Sequence, residues 1–538
     1  MTERDQKISP VCYNFAMDEF AHMRANIAKI LPWVAVSLLL LTYAIFLTHK
    51  INLVTADLGR HIKNGEVLWT HPEVLRTNFY SYTETDFPVL NHHWGSGVIF
   101  YALYALGGFG FLQIFFILIS LATFLLFFYA AKIRAGFSLS ALAALPFLTL
   151  LAERTEIRPE SFSYFFAGAF FVVLTLARAR RTRHALWLLP VLQIFWTNLH
   201  VYFPLGPALV GAFFIEELFR HGENRRQLFF VLCATSLATL VNPFGWELLF
   251  GVATIFSNYA YRLAENQSVM FMTNYLPSEN LLIFKLGFLF LVGTFLAVII
   301  RRGWRAVSLA DVCVATAMGT LAWLAVRNLT LFAFFATAIS AGNLGKICNN
   351  PPQSPLSKGG GKRGYEFVTL LATLAIFFVI FASGFYARLP YWRSFGIGLE
   401  EGNTAATDFF KSAGLTGPIF NDYDNGGYLI FALYPTERVF VDNRPEAYST
   451  AFFQNRYIPM QEDDTVWKKE DSRYHFNVIF FNRNDMTPWA QRFLVARVSD
   501  QREWAPIFLD SYSIIFARRV PQNEKVIEQF EIPHSRFR

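Results

Sequence analysis

Eleven apolar runs, each long enough or nearly long enough to cross a bilayer, dominate this sequence. A helix needs roughly 20 residues to cross about 30 Å of hydrocarbon, and backbone polar groups inside a bilayer must bond within their own segment. The runs lie at 27–47, 109–131, 137–152, 161–177, 185–199, 201–219, 227–241, 281–300, 308–326, 329–345 and 366–386. The sequence therefore predicts an α-helical polytopic membrane protein with about eleven transmembrane helices.

The composition agrees with a chain that folds partly in lipid. Hydrophobic residues make up 54% of it and charged residues only 16%, whereas soluble proteins carry about 25% charged residues. The 59 Phe and 12 Trp suit lipid-facing helices and interfacial belts. A net charge of +7 is typical of basic cytoplasmic loops in a membrane protein, so no nucleic-acid partner is expected. The C-terminal tail contains no cysteine, and no disulfide is predicted.

The distribution of Lys and Arg predicts the orientation. With a cytoplasmic N-terminus, roughly 20 basic residues before residue 386 lie inside and roughly 9 lie outside, in agreement with the positive-inside rule. The runs RARRTRH (178–184) and RRGWR (301–305) fall on the same, cytoplasmic side. An odd number of spans then places the C-terminal tail on the outer side of the membrane.

This topology divides the chain into three parts. Residues 1–26 are predicted to form a cytoplasmic N-terminal segment, because they carry several charges and no cleavage site precedes the first apolar run. Residues 27–386 form the transmembrane domain. Residues 387–538 form an extracytoplasmic domain that is long enough for its own core.

Three loops of the transmembrane domain are long. Loops 48–108 and 242–280 are predicted to face outward, and loop 346–365, which is rich in Pro, Gly and Lys, is predicted to face the cytoplasm. Within the first loop, residues 57–69 and 94–106 are amphipathic and are expected to lie along the membrane interface.

The tail alternates between two kinds of run. Runs typical of strands (PIFNDY, RVFVDN, NVIFFN and YSIIFA) alternate with helical ones (NTAATDFFKSAG and MTPWAQRFLVARV), which predicts a small α/β domain. Asn421, Asp422 and Asp424 precede two glycines and are interpreted as turn residues, with recognition of an acceptor glycan or contact with the membrane-domain cleft as the alternatives. Arg444 and Glu446 are expected to form an internal ion pair.

Ionisable residues concentrate where the predicted spans emerge on the outer face. A charge inside hydrocarbon is costly, so this placement is informative. The candidate site residues are Asp57, His61, His92, His93, Arg154, Glu156, Arg158, Glu160, His200, Glu265 and Arg327. Because the topology brings all of them to one membrane boundary, a shared cleft is predicted. The alternative is that each keeps a helix end hydrated.

Seven stretches, in this order, resemble a known family. They are DLGRHIKNGEVLW (57–69), NFYSYTETDFPVLNHHW (78–94), RPESFSY (158–164), WTNLHVYFPLG (196–206), VNPFGWELL (241–249), FNDYDNGGYLIF (420–431) and VFVDNRPEAY (439–448). The chain resembles bacterial multi-span proteins of the glycosyltransferase type C (GT-C) superfamily, which use polyprenyl-phosphate sugars. The resemblance implies a GT-C-like transmembrane domain in the bacterial inner membrane.

The resemblance also implies roles for particular residues. Members of the superfamily place an acid in the first outer loop, as catalytic base or acceptor-orienting group, and Asp57 occupies that position. Several members have a second acid directly after it, where this chain has Leu58. His93 stands where an acid is expected. The implied function is transfer of a sugar from a polyprenyl phosphate to an envelope acceptor on the outer face, with Asp57 as the candidate base.

Such a reaction needs a carboxylate, cations that hold the leaving phosphate, and an apolar groove for the lipid. Arg158 and Arg327 are candidates for the phosphate contacts, since Arg binds phosphate through paired hydrogen bonds. The alternative for these two arginines is a salt bridge to Glu156 or Glu160, or a snorkelling side chain that anchors a helix end at the membrane interface. No cofactor is required by the sequence.

A divalent metal at Asp57, His92 and His93 is a further possibility. Adjacent histidines in an extended segment point to opposite sides, so both are not expected to bind one ion.

Two other functions remain open at this point. A transporter or flippase of lipid-linked glycans usually carries ionisable groups near the midplane, and inverted repeats, and neither is evident here. A non-catalytic envelope scaffold would tolerate replacement of Asp57. The expected partners are a polyprenyl-phosphate sugar, membrane lipid, and an acceptor that is a glycan, a lipid or a protein.

Overall fold

A computed structural model describes residues 30–179, 182–254, 260–261, 263–348, 360–382, 384 and 394–537. The predicted cytoplasmic segment 1–26 and residues 349–359 of the predicted basic loop lie outside the described residues.

The transmembrane domain is built from helices, and each of the eleven predicted spans overlaps one of them. The helices are α1 (Ile30–Leu47), α2 (Leu58–Leu68), α3 (Trp94–Ala135), α4 (Phe137–Leu151), α5 (Glu160–Arg178), α6 (Leu188–Leu199), α7 (Leu205–Phe219), α8 (Arg225–Ala238), α9 (Glu247–Thr254), α10 (Val269–Tyr275), α11 (Glu279–Arg302), α12 (Leu309–Leu324), α13 (Leu329–Cys348) and α14 (Gly360–Ala382). The chain is a polytopic membrane protein.

The helices differ in how far they can reach across a bilayer. Five of the described helices are long and apolar enough to cross alone, among them α3, α5 and α11. In contrast, α6 has 12 residues and α8 has 14, so each rises only about 20 Å at 1.5 Å per residue. These two predicted spans therefore do not cross 30 Å of hydrocarbon as single straight helices.

Two helices form the centre of the bundle. In the most apolar stretch of α5, 83% of the residues are buried, and in the segment Val326–Cys348, which contains α13, the share is 78%. In α11 it is only 28%. Phe127 on α3 packs against Phe334 and Phe335 on α13, with ring centroids 5.1 and 4.9 Å apart. Helices α3 and α13 thus bury aromatic faces against each other, and α11 presents most of its surface to lipid.

Helix α2 and the first part of α3, which contain the two predicted amphipathic stretches, pack directly on each other. A Cβ added at Gly65 would lie 2.1 Å from the carbonyl oxygen of Gly97. Helix α3 then kinks at Gly107 and Gly108, where Gly108 has φ +65° and ψ −162°. Glycine adopts this conformation without the steric cost that other residues incur.

The C-terminal domain contains a mixed four-stranded sheet, as the α/β prediction requires. Its strands are β1 (Ile419–Asn421), β2 (Val478–Asn482), β3 (Trp504–Leu509) and β4 (Ser513–Arg518). The order is β1-β2-β4-β3, with β1 parallel to β2 and the other pairs antiparallel. The helices around it are α15 (Ala405–Ser412), α16 (Gly426–Leu433), α17 (450–462), α18 (Asp464–Tyr474), α19 (Pro488–Ser499) and α20 (Glu524–Phe530).

In this domain one strand prediction was wrong and one strand was missed. The run RVFVDN does not join the sheet, and its Val439 instead forms an isolated parallel bridge with Ser81 of the first long loop. Strand β3 was missed because Pro506 interrupts its apolar run. Proline lacks an N–H donor and is tolerated at a sheet edge, and β3 is an edge strand with an irregularity in register beside Pro506.

The C-terminal domain docks closely onto α2. A Cβ at Gly59 would lie 2.9 Å from the carbonyl oxygen of Gly427, at the start of α16. A Cβ at Gly426 would lie 2.4 Å from the Cα of Asp442. Because these backbones approach so closely, the absence of side chains at Gly426 and Gly427 allows the segment after Val441 to lie over the first turn of α2.

The Gly65–Gly97 contact predicts that Gly65→Ala destabilises the protein. The added methyl group would force α2 and α3 apart, at a cost of about 1–3 kcal/mol for overpacking. We expect a lower thermal midpoint for the detergent-purified protein. The matched control is Gly211→Ala on α7, where no atom lies within 4 Å of the added Cβ, so its stability should be unchanged or slightly raised. Equal midpoints for the two variants would contradict the contact.

Candidate functional site

A cavity of about 950 Å³ lies between the ends of the transmembrane helices and the C-terminal domain. Nine of the eleven predicted site residues line it: Asp57, His61, His92, His93, Arg158, Glu160, His200, Glu265 and Arg327. The other two, Arg154 and Glu156, form ion pairs with residues of the lining. The structure thus brings all the predicted residues to one place.

Glu265 is the centre of the charge network. Its Oε2 lies 2.8 Å from Arg154 Nη1 and 3.0 Å from Arg158 Nη1, and its Oε1 lies 3.4 Å from Arg327 Nη1. Burial alone would raise the pKa of Glu265, but the three guanidinium groups hold it well below its usual range. One carboxylate therefore joins the turn before α5, the turn before α13 and the loop that follows α9.

Two further acids balance the arginines. Glu160, at the first position of α5, lies 2.6 Å from Arg154 Nε and 3.6 Å from Arg327 Nη2. Glu156 lies 2.7 Å from Arg158 Nη2 and is half exposed. The expected salt bridge of Arg158 to Glu156 is present, so this arginine is at once part of an ion-pair network and part of the cavity wall.

Asp57 lies directly before α2, at the edge of this charge network. Its side chain makes no capping hydrogen bond to the helix, so helix capping does not explain the residue. Its Oδ2 lies 3.4 Å from Arg158 Nη1, and its Oδ1 accepts a hydrogen bond from the Asn443 amide. Burial raises the pKa of Asp57 above its ordinary value, and the nearby Arg158 and Arg60 partly offset that rise.

Asn443 comes from the C-terminal domain and bridges two groups of the first loop. While its amide nitrogen donates to Asp57, its Oδ1 accepts from Arg60 Nε at 3.0 Å. The C-terminal domain therefore supplies a direct hydrogen-bond partner of the candidate base.

Four histidines form a second part of the wall. The His93 ring lies 4.0 Å from that of His92, 5.4 Å from His61 and 5.1 Å from His200, measured between centroids. Burial lowers the pKa of His61, His93 and His200 well below the ordinary value, so these rings are neutral at pH 7. His200 is fixed by a 2.7 Å hydrogen bond between its Nδ1 and Ser163 Oγ.

The histidines do not gather with Asp57 around one point. Among the described residues, the His, Cys, Asp and Glu side chains close enough to share a cation are Asp422, Asp424 and Asp485. The first-loop grouping of Asp57, His92 and His93 is therefore not arranged as a metal site.

One wall of the cavity is apolar. It is formed by Leu205 of α7, Leu321 and Leu324 of α12, and Leu331 of α13. Leu324 is 63% exposed, so this wall offers apolar surface that a ligand could cover. The cavity thus combines a charged end at Asp57 with an apolar side.

Comparison with known proteins gives structural matches only, because no family model and no curated protein sequence matches the chain. The crystal structure of the Archaeoglobus fulgidus oligosaccharyltransferase, tethered with an acceptor peptide containing the NVT sequon, matches 91% of this chain and 74% of its own, at 11% identity and a TM-score of 0.57. The same enzyme in complex with zinc and sulfate matches 91% and 72%, at 12% identity and a TM-score of 0.51. The chain has the GT-C fold.

A third solved structure is also similar. ArnT from Cupriavidus metallidurans in the apo state matches 93% of this chain and 98% of its own, at 15% identity and a TM-score of 0.48. The two oligosaccharyltransferase structures confirm the resemblance of the sequence to GT-C proteins at the level of the fold.

Several residues that line the cavity were not predicted as site residues. They are Arg60, Tyr202, Tyr423, Asp424, Asn443 and Glu446. For Asp424 the turn interpretation was incomplete, because its side chain reaches the cavity. The expected Arg444–Glu446 ion pair was wrong: Arg444 binds Asp442 through Nε and Nη2, both at 2.7 Å. Glu446 is thereby left to line the cavity.

The charge network predicts that Glu265→Gln is destabilising. Three arginines would lose their shared carboxylate, at a cost of about 3 kcal/mol, typical of breaking a buried pair. The lowered pKa of Glu265 means that its contribution to stability is present above the ordinary Glu pKa of about 4.3 and is lost as pH falls further. The thermal midpoint at pH 7 should therefore fall clearly.

Glu156→Gln is the matched control, since this half-exposed acid pairs with one of the same arginines. Its cost should stay below about 1 kcal/mol. A midpoint of Glu265→Gln equal to that of Glu156→Gln would show that the three-arginine contact does not support the fold.

Proposed function

We propose that this protein transfers a sugar from a polyprenyl-phosphate donor to an envelope acceptor on the outer face of the bacterial inner membrane. The observation that carries the proposal is the meeting of an acid, arginines and an apolar wall in one cavity. Asp57 lies 3.4 Å from Arg158, and Arg327 and the leucines of α12 line the same space.

The orientation comes from the positive-inside pattern, with the N-terminus in the cytoplasm and the C-terminal domain outside. Nucleotide sugars are made in the cytoplasm and do not cross the membrane unaided. An enzyme whose cavity faces outward therefore needs a donor that has already crossed, and a sugar linked to a lipid phosphate meets this requirement.

In the proposed reaction, Asp57 is the general base. An acceptor hydroxyl attacks the anomeric carbon of the donor and gives its proton to the Asp57 carboxylate, while the bond between that carbon and the phosphate oxygen breaks. A base works best when its pKa approaches the operating pH, and burial raises the pKa of Asp57 in that direction. Asn443 and Arg60 orient the carboxylate through the hydrogen bonds described above.

Arg158 and Arg327 hold the leaving phosphate. Each guanidinium has five N–H donors, so an arginine that already contacts Glu265 keeps donors for a ligand. Both arginines lie on the cavity wall next to Asp57 or Glu265. Positive charge at this position stabilises the negative charge that develops on the phosphate as the bond breaks.

The lipid chain of the donor lies along the apolar wall of Leu205, Leu321, Leu324 and Leu331. Burial of a hydrocarbon chain there contributes roughly 25 cal/mol per Å² of apolar surface removed from water. The acceptor is a glycan, a lipid or a protein. The A. fulgidus oligosaccharyltransferase was solved with an acceptor peptide, and a protein acceptor is included in the proposal for that reason.

The test is a transfer assay with Asp57→Asn. Asparagine keeps the shape of the side chain but removes the base, so turnover should fall by roughly 10²- to 10⁴-fold while the protein still inserts and folds. The assay uses purified protein, a radiolabelled polyprenyl-phosphate sugar and extracted envelope acceptors. Asp86→Asn is the control, because Asp86 is an exposed acid of the same loop and should leave turnover unchanged.

Three outcomes would overturn the proposal. Unchanged transfer by Asp57→Asn would remove the mechanism. Absence of transfer by the wild-type protein from any lipid donor, together with measurable lipid translocation, would favour the flippase function. Absence of both activities would favour the scaffold.

A further inference from the structure

Three acids of the C-terminal domain, two of them buried, lie together, and none of the ion pairs found in the described residues joins them to a basic group. Asp422, Asp424 and Asp485 each place a carboxylate oxygen within 4.8 Å of the other two. Asp422 and Asp485 are 0% and 3% exposed. Elsewhere in the cavity the acids face arginines, as at Glu160 and Glu265.

The sheet topology explains why these acids meet. Asp422 and Asp424 follow β1, and Asp485 follows β2. Strands β1 and β2 are parallel, so their carboxyl ends lie at the same edge of the sheet. Loops at the carboxyl ends of parallel strands are the usual location of ligand sites in α/β folds.

The hydrogen bonds of the three acids leave ligand atoms available. Asp422 Oδ1 accepts from the backbone N–H of Asn482 at 2.7 Å and its Oδ2 from that of Asn425 at 3.3 Å, and Asp485 Oδ1 accepts from the backbone N–H of Thr487 at 2.8 Å. Asp485 Oδ2 is buried and has no hydrogen-bond partner among the described residues. A buried carboxylate oxygen without a partner is costly, and a bound cation would satisfy it.

The carboxyl groups also repel one another. Their oxygens lie within 4.8 Å of one another in a largely buried part of the domain, where like charges interact strongly. A divalent cation would neutralise this excess of negative charge.

We propose that Asp422, Asp424 and Asp485 bind a hard divalent cation, of the class of Mg²⁺, Mn²⁺ or Ca²⁺, on the side of the cavity that the C-terminal domain forms. Such ions take carboxylate oxygens at about 2.0–2.6 Å, so oxygens on one ion lie at most about 5 Å apart, as these do. Asp424 lines the cavity, so the ion's remaining positions face it and take water or an oxygen of the bound ligand.

This site is separate from the proposed base. It belongs to the C-terminal domain, whereas Asp57 lies in the first long loop. The cation joins the ends of β1 and β2 and places a positive charge opposite the arginines of the transmembrane domain. The inference goes beyond the proposed transferase function and does not depend on it.

The experiment measures Mn²⁺ binding by electron paramagnetic resonance on the full-length protein in detergent, after removal of metals with EDTA. We expect one bound Mn²⁺ per chain, displaced by excess Ca²⁺ or Mg²⁺, and a thermal midpoint that rises with Mn²⁺ concentration. Asp424→Asn should weaken binding at least tenfold and abolish the rise. Its carboxylate forms no hydrogen bond among those found in the described residues, so the variant should remain folded in EDTA.

Three further variants complete the test. Asp485→Asn should also lose Mn²⁺ binding, and it serves as the second ligand variant should Asp424→Asn not fold. Asp408→Asn, an exposed acid of the same domain, should bind as the wild type does. Asp57→Asn should also bind as the wild type, because it is not a ligand.

No stoichiometric binding by the wild type, or equal binding by wild type and both ligand variants, would overturn the cation site. Loss of binding only in Asp57→Asn would also overturn it. The two proposals fail separately: metal binding that depends on Asp424 stands even if no sugar transfer is found, and transfer that depends on Asp57 stands even if no metal binds.

Discussion

The contact of one carboxylate, Glu265, with three arginines is the interaction on which the cavity depends. Arginines next to a bilayer must be neutralised or hydrated, and here Arg154, Arg158 and Arg327 share this acid. The three come from two turns that are more than 160 residues apart in the sequence. Their common partner fixes the positions of α5 and α13, the two central helices, relative to each other. With those helices in place, the arginines face the same space as Asp57.

The C-terminal domain completes the cavity as well as covering it. Its Asn443 is the direct hydrogen-bond partner of Asp57, and its Asp424 and Glu446 line the wall. This arrangement requires close contact between domains, which the glycines at 59 and 427 permit. Asn443 holds Oδ1 of Asp57 and Arg158 lies beside Oδ2. Because both oxygens then have fixed partners, the carboxylate of the candidate base is oriented. The C-terminal domain and the first long loop therefore form the cavity together.

The sequence predicted the helices and the charged cluster because both follow from strong physical signals. Hydropathy identifies segments that lipid requires to be helical, and the scarcity of charge within them makes the remaining charges at their ends informative. The partners of those charges were less predictable. Asn443 and Asp485 carry no signal of their own, since their roles arise only when two domains dock or two strands pair.

Local pattern also misled at particular places. The run RVFVDN has the composition of a strand, but its buried Phe440 and Val441 pack outside the sheet. Arg444 lies two residues from both Asp442 and Glu446, so the sequence allows either acid as its partner. In the fold its partner is Asp442. The GG pair after Asn425 indicated a turn. Its close contact with α2 and with Asp442 could be recognised only from the tertiary structure.

The most direct test of the central claim is a structure of the protein with a polyprenyl-phosphate sugar bound. We expect the phosphate to contact Arg158 or Arg327, within about 3 Å as hydrogen bonding requires. We also expect the anomeric carbon to face Asp57 and the lipid chain to lie along Leu321 and Leu324. A donor phosphate bound at any other part of the protein, with no lipid in the cavity, would contradict it.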